Sequence, residues 1–300
     1  MAGKVYEPDF VRQMLLYMAN GVSIYRLSKE YGIEDSTLRR WRDDPEKYTH
    51  DNSATRLEKL KMGIQPSVKK ESGSVVLAIP DLHCPFHHPD SIPFLKAVVA
   101  KINPDEVVFL GDEVDFHSFS KYPKDPDGLS PGAELKAAID ALINFYLLFP
   151  KARVCVSNHT IRPHKLMKVN GLPSALFPAY STMLNAPDGW IWHEHIVIDG
   201  VRYMHGDQGK GGKYGWTSNS EVYHQPVVVG HWHSKAGVFY DSHMFNVNAG
   251  CLIDPKAYVF DYARHSHKKP NLGCAVIYGG KSAQFLPMLT DDSGRWVGKL

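Results

Sequence analysis

Cysteine is scarce in this chain, and its placement excludes two common architectures. The four cysteines, Cys84, Cys155, Cys251 and Cys274, are far apart and form no CxxC pair. That rules against a zinc ribbon and against a disulfide framework, and it fits a reducing compartment. No apolar run approaches the ~20 residues that a membrane-spanning helix needs. The opening MAGKVYEPDF lacks the apolar core of a signal peptide. No internal repeat and no low-complexity tract stands out. The net charge of +2 is too small for a polycation. These absences lead us to expect a soluble cytoplasmic protein with no membrane partner.

What is present is ordinary globular composition, 43% hydrophobic and 22% charged over 300 residues. That length suits one large domain, or one domain with a small appendage. Charge is unevenly spread. Residues 1–70 hold 13 Lys/Arg against 10 Asp/Glu, and the remainder holds 21 against 22. The bias weakly favours a nucleic-acid-facing N-terminus.

Residues 1–45 read as a small all-α domain. Pro8 and Asp9 open a helix with Phe10, Met14, Leu15 and Met18 at helical spacing, and Asn20-Gly21 ends it. Ser23 caps a second helix carrying Ile24, Leu27 and Tyr31. Gly32 supplies the turn, and Ser36 is expected to cap a third helix, Thr37 to Arg42, with Leu38 and Trp41 inward. This order resembles the small helix-turn-helix modules of transposases and phage terminases. The resemblance implies DNA contacts from Ser36, Thr37, Arg39, Arg40 and Arg42 on the third helix. A protein-docking module is the alternative. Residues 46–73, polar and containing Pro45's neighbour Glu46 and Pro66, read as a linker with one helical stretch near 55–62.

From Ser74 onward strands alternate with helices. Strands are expected at 75–79, 106–110 and 153–156, with helices at 91–101 and 133–149. After residue 190 strands dominate, at 196–198, 202–205, 227–229, 244–248 and 275–278. The expected fold is α/β, two sheets packed as a sandwich and flanked by helices, over residues 74–300.

Five polar clusters each follow a predicted strand. They are Asp81-Leu82-His83, Gly111-Asp112-Glu113-Val114-Asp115, Asn158-His159, His205-Gly206-Asp207 and Gly230-His231-Trp232-His233. Open α/β sheets place their sites in such loops. Asp81 and His83, like His231 and His233, stand two residues apart and can aim at one ion. Asp112 directly follows its strand, where a carboxylate can bridge two cations. Carboxylate oxygens mixed with imidazole nitrogens suit Mn, Fe, Zn or Ni, and do not suit Ca. Each piece alone is a common loop sequence; the set in order is the signal.

In order and spelling the clusters resemble the calcineurin-like metallophosphoesterase superfamily, over residues 74 to about 285. The resemblance implies two divalent ions, manganese first among the candidates. Asp81, His83, Asp112 and His233 would hold one ion. Asp112, Asn158, His205 and His231 would hold the other, with a bridging water or hydroxide as nucleophile. Two cations ~3.5–4 Å apart acidify that water and neutralise charge building on phosphoryl oxygens. His159 matches the family's catalytic histidine, expected to protonate the leaving oxygen or to steady the transition state as imidazolium. Asp115 is expected to orient a ligand or a loop from behind.

One departure stands out. The family commonly places an acid after this histidine, where this chain has Thr160. Asp115 and Asp207 are candidates to replace it, and the change leans away from efficient monoesterase activity. Arg162 is shaped to fork a phosphate. His117, Lys121 and Tyr122 are expected at the rim, and Gly206–Gly215, with Lys210 and Lys213, as a basic loop. His87 and His88 are expected to be solvent-exposed. A DNA-binding module joined to a phosphoesterase points to a DNA nuclease. A phosphomonoesterase, a cyclic-nucleotide phosphodiesterase and a non-catalytic DNA-binding or assembly protein are the alternatives. Appended modules of this kind resemble bacteriophage-encoded proteins, which would put the chain in a host's cytoplasm.

Overall fold

The computed structural model describes residues 22–44, 62–65, 68–70, 73–121, 124–208, 215–263 and 269–300, with Tyr6, Val11, Met14, Leu15, Tyr17 and Met18. The chain divides into two compact units, Met1–Leu60 and Lys61–Leu300.

In the first unit, helix α1 (Ile24–Tyr31) starts where Ser23 Oγ accepts from the Arg26 amide at 3.3 Å. It stops at Gly32, whose φ of 63° is the left-handed conformation glycine adopts without strain. Helix α2 (Asp35–Asp43) begins earlier than expected. Glu34, not Ser36, is the cap residue, and its carbonyl accepts from Thr37 and Leu38. Asp35 then falls in the first turn, where a carboxylate suits the helix dipole. Leu27, Leu38 and Trp41 form a small core with Val11, Met14 and Ile33. Pro8, Asp9, Phe10, Asn20 and Gly21 lie outside the described residues, as does most of the stretch 55–62.

The second unit holds two sheets. The strands are β1 (Ile64–Gln65), β2 (Val68–Lys70), β3 (Val75–Ile79), β4 (Glu106–Phe109), β5 (Ala152–Cys155), β6 (Trp190–His193), β7 (Ile196–Ile198), β8 (Val201–Met204), β9 (Val227–Val229), β10 (Gly237–Asp241), β11 (Met244–Asn248), β12 (Gly273–Tyr278) and β13 (Ser282–Pro287). One sheet runs β1-β6-β5-β4-β3-β12-β13 and the other β10-β11-β9-β8-β7-β2. Residues 64–70, read in sequence as linker, carry two short strands. β1 adds parallel to β6 and β2 adds parallel to β7, at the ends of the two sheets.

Strand periodicity explains the layering. Leu77 and Ile79 of β3 join Phe109, Val154 and Val276 in a core shared with Phe94, Leu95 and Val98 of helix α3 (Ser91–Ile102) and Leu142 and Phe145 of helix α4 (Pro131–Leu148). The alternate residues Val76 and Ala78 join Val108, Leu110 and Ile277 in a second core with Ile196, Tyr203, Val228 and Val247 of the other sheet. A strand buried on both faces is apolar at every position, as VVLAI is. Helix α4 begins at Pro131, two residues before the expected start, because Ser130 Oγ accepts from the Ala133 amide at 3.3 Å and proline is preorganised for the first helical position. Among the described residues no helix is long and apolar enough to cross a membrane.

Candidate metal centre

β3, β4 and β5 run parallel in one sheet, and β8 and β9 run parallel in the other. The loops that leave their carboxyl ends therefore open on one rim, and all five polar clusters sit there. Glycines permit the convergence. A Cβ on Gly111 would stand 2.7 Å from the Ser157 Cβ and 2.8 Å from the Cys155 carbonyl. A Cβ on Gly230 would collide with the Asp81 carboxylate. His83, Asp112 and His231 have φ of 52°, 48° and 62°. Three left-handed non-glycine residues in one site are strain that the surrounding packing must hold in place.

Two groups of ligand candidates share Asp112, and a third, His83 with Asp115 and His159, lies beside them. In the first, Asp81 Oδ2 lies 3.0 Å from His233 Nε2, which lies 3.2 Å from His83 Nε2. His83 Nε2 in turn lies 3.3 Å from Asp112 Oδ2. In the second, Asp112 Oδ1 lies 3.4 Å from His205 Nε2, which is 2.7 Å from Asn158 Oδ1 and 3.2 Å from His231 Nδ1. The two oxygens of Asp112 thus face different groups.

These spacings fit divalent ions. Donors held at about 2.0–2.2 Å from one ion stand roughly 3–3.5 Å from one another. In each group a pair of imidazole nitrogens faces inward at hydrogen-bond distance, an arrangement that needs a proton or a cation between the lone pairs. The sets Asp81–His83–Asp112–His233 and Asp112–His205–His231, buried except for the half-buried His233 and His231, have ligand atoms close enough for one ion each. Burial would raise the Asp112 carboxyl, but the facing His159, His205 and His83 outweigh it and hold it well below its ordinary range. Asp81 is held lowered against its burial by the hydrogen bond to His233 and the charge of His205.

Behind the ligands lies a supporting layer. Asp115 Oδ2 is 3.0 Å from His83 Nδ1, and the Leu110 carbonyl accepts from His205 Nδ1 at 2.9 Å. The Asp81 carboxylate also accepts the His231 amide at 2.8 Å. Burial would lower His83, but its bonds to Asp112 and Asp115 prevail and push it up to about 10. That basicity makes it a strong nitrogen donor once a cation displaces the proton.

His159 sits where the sequence places it. Its Nδ1 lies 2.7 Å from the Asp115 carbonyl, which can only accept, so Nδ1 donates. Its Nε2 lies 2.9 Å from Arg162 Nη2, which can only donate, so Nε2 accepts. With both bonds made, Nδ1 faces an acceptor and Nε2 faces the fixed positive charge of Arg162. Arg162 Nη1 also donates to the Asp115 carbonyl at 3.0 Å and the Asp115 carboxylate at 3.2 Å. Of the two acids proposed to replace the one after His159, Asp115 is in place, 3.5 Å from Nδ1. Asp207 is exposed on another loop.

Thr160 turns inward. Its hydroxyl donates to Glu113 Oε2 at 3.1 Å and is 2.6 Å from the Ser157 hydroxyl. Trp192 Nε1 donates to Glu113 Oε1 at 2.9 Å. Burial pushes the Glu113 carboxyl up to about 7, against those two hydrogen bonds. Glu113 was not singled out from sequence, although it lies inside the Gly111–Asp115 cluster. Asn248 was missed as well. Its Nδ2 donates to the Trp232 and Ser234 carbonyls at 2.8 and 3.1 Å, fixing the loop that bears His231 and His233.

Other expectations fare differently. His88 is buried, with Nε2 2.9 Å from the Gly294 carbonyl, and His87 is partly covered by Phe145. Neither is the exposed loop histidine expected, because residues 87 and 253 form a β-bridge and close the loop on the core. His117 is partly buried against Tyr258, and Lys121 is exposed. Tyr122, Lys210 and Lys213 lie outside the described residues. On α2, Arg40 folds back on the Ser36 carbonyl and Thr37 hydroxyl, both at 3.2 Å, and Arg42 pairs with Asp43 at 2.8 Å. Arg39 is exposed.

No family model and no curated protein matches the chain. Among solved structures, the chain is similar to the phosphoesterase Yfce from E. coli at 14% identity and TM-score 0.37, over 70% of this chain and 96% of that one. It is similar to a metallophosphoesterase from Sphaerobacter thermophilus at 14% identity and TM-score 0.37, over 71% and 87%. It is also similar to Vacuolar Protein Sorting 29 from Cryptosporidium parvum at 14% identity and TM-score 0.38, over 68% and 86%. At these scores the likenesses assign no activity to this chain.

Proposed function

We propose that this protein is a dinuclear metal-dependent phosphoesterase that hydrolyses phosphodiester bonds, with DNA as its substrate. The observation that carries this reading is the pair of ligand groups sharing Asp112. Asp81, His83, Asp112 and His233 would hold one divalent ion, and Asp112, Asn158, His205 and His231 the other. Bound there, the ions would acidify a water and neutralise charge on phosphoryl oxygens. The chain's own groups do the rest. Asp115 holds His83 and His159 in orientation from behind. Arg162, half-turned into the site, offers guanidinium donors to a nonbridging phosphate oxygen. His159 Nε2, an acceptor in this arrangement, is set to take or relay a proton once Arg162 engages substrate. A diester carries one charge fewer than a monoester, and one arginine, Arg162, suits that smaller charge.

The reading of α1 and α2 as a helix-turn-helix, with Arg39 exposed on α2 to meet DNA, supports a nucleic-acid substrate. The test is cleavage of supercoiled plasmid and labelled single-stranded DNA by metal-stripped protein, with Mn, Ni, Zn and Mg returned separately. We expect metal-dependent cutting that Asp112→Asn abolishes. Hydrolysis of nitrophenyl phosphate with no cutting of either DNA would overturn the nuclease assignment in favour of a monoesterase.

A further inference from the structure

Between Asp140 and Asp188 the chain contains no acidic residue, yet it carries Lys151, Arg153, Arg162, Lys165 and Lys168. Three of these cations fall on one short helix, α5 (Arg162–Val169), which leaves the site directly after His159. Its inner face is fixed. Ile161 and Met167 pack on the helix-side core, and His164 is buried with Nε2 3.0 Å from the Pro178 carbonyl. Its first residue is Arg162, in contact with His159 and Asp115. Its outer face carries Lys165 and Lys168, both exposed. Three-residue spacing advances each cation by about 4.5 Å along the axis and turns it by about 60°. The cations therefore lead outward from the site as a stepped row.

Between and beyond them lie apolar side chains that water normally excludes. Val169 is 83% exposed and Leu176 63%, with Leu166 and Leu172 also exposed. Four large apolar side chains exposed within eleven residues mark a contact surface and not scattered surface hydrophobics.

We infer that α5 and the segment to Leu176 form the docking track for a single-stranded nucleic acid whose scissile phosphate enters the metal centre. This deepens the phosphodiesterase reading and rests on it. Lys165 and Lys168 match backbone phosphates flanking the cleaved one, which is charge complementarity running continuously from Arg162. The apolar side chains match sugars and base faces, which a single strand exposes and a duplex keeps stacked inside. An anionic membrane would also be met by lysines beside apolar groups. Continuity with Arg162 at the candidate site favours the nucleic acid.

The test uses the full chain carrying Lys165→Glu and Lys168→Glu together, and separately Val169→Asp. Three quantities are measured: affinity for a fluorescent oligothymidylate by anisotropy across a salt series, affinity for the same length of duplex, and hydrolysis of bis-nitrophenyl phosphate. For the double variant we expect affinity for the single strand to fall about tenfold or more at low salt. Its log–log salt slope should shrink by about 1.4, two phosphates at 0.7 each. Val169→Asp should weaken single-strand binding more than duplex binding. Small-diester hydrolysis should match the wild type in both. Unchanged single-strand affinity and slope would overturn the track. So would a loss confined to duplex, or binding to phosphatidylserine vesicles that the double variant abolishes while DNA binding stays. Failure of the wild type to hydrolyse the small diester would instead count against the phosphodiesterase reading, and the anisotropy result would still decide the track.

Discussion

Glu113 is the residue whose role is least visible from its neighbours in sequence. It is fully buried and accepts from Trp192, 79 positions away, and from Thr160, 47 positions away. Thr160 and Ser157 flank Asn158 and His159, so Glu113 fixes the loop that carries a ligand candidate and the proposed catalytic histidine. Glu113→Leu would leave the indole N–H and the threonine hydroxyl without their acceptor. We expect metal content to be kept, turnover of a small diester to fall on the order of ten- to a hundredfold with KM little changed, and Glu113→Gln to restore most of it. Turnover of Glu113→Leu equal to wild type would remove the residue from this account. The metal ligand candidates were legible because each follows its strand by one to four residues in a fixed local spelling. Glu113 and Asn248 were not, because their partners come from distant parts of the chain, and no local pattern records such pairings.

Among elements, the strands that could be read are mostly short apolar runs. VVLAI at β3, VVV at β9 and IVI at β7 are apolar runs, and their bounds coincide with the expectation. β1, β2, β10 and β13 were not legible. They sit at the ends of the sheets, where one edge has no partner strand among the described residues. β6 was missed too, because Trp-Ile-Trp-His gives no β-branched run. The segment after β13 is tied back by side chains that sequence does not advertise. The Asp90 carboxylate accepts from Arg295 Nε at 2.7 Å and from the Trp296 amide at 2.9 Å. These bonds hold the Asp90 carboxyl down at about 2. A carboxyl depressed in the folded state contributes stability that is complete above its unfolded value, about 3.9, and is lost as pH falls toward 2. Arg295 is 62% exposed, so the contribution is modest. In urea unfolding at pH 5 and pH 3, the gap between wild type and Asp90→Asn should narrow at the lower pH. A gap that widens would contradict the assignment.

At the scale of the whole molecule, a compact helical unit precedes a two-sheet unit, and the charge bias between them is slight. Specific side chains, more than bulk charge, must then decide what the first unit binds. On α2, Arg40 and Arg42 are engaged with their own helix, whereas Arg39 extends from it with no hydrogen bond among the described residues. If the helical unit grips DNA, Arg39→Ala in the full chain should weaken binding about five- to tenfold, as one phosphate or base contact commonly does. Arg42→Ala should weaken it less. Equal and negligible effects would recast the unit as a protein-docking module.

The central claim is that one carboxylate, Asp112, joins two cation sites. Metal content after reconstitution with Mn and removal of loose ions tests it most directly, in wild type, Asp112→Asn and His159→Ala. We predict two ions per chain in the wild type and in His159→Ala, and loss of both in Asp112→Asn. An Asp112→Asn protein that keeps two ions, or a His159→Ala protein that loses them, would contradict the assignment of the site.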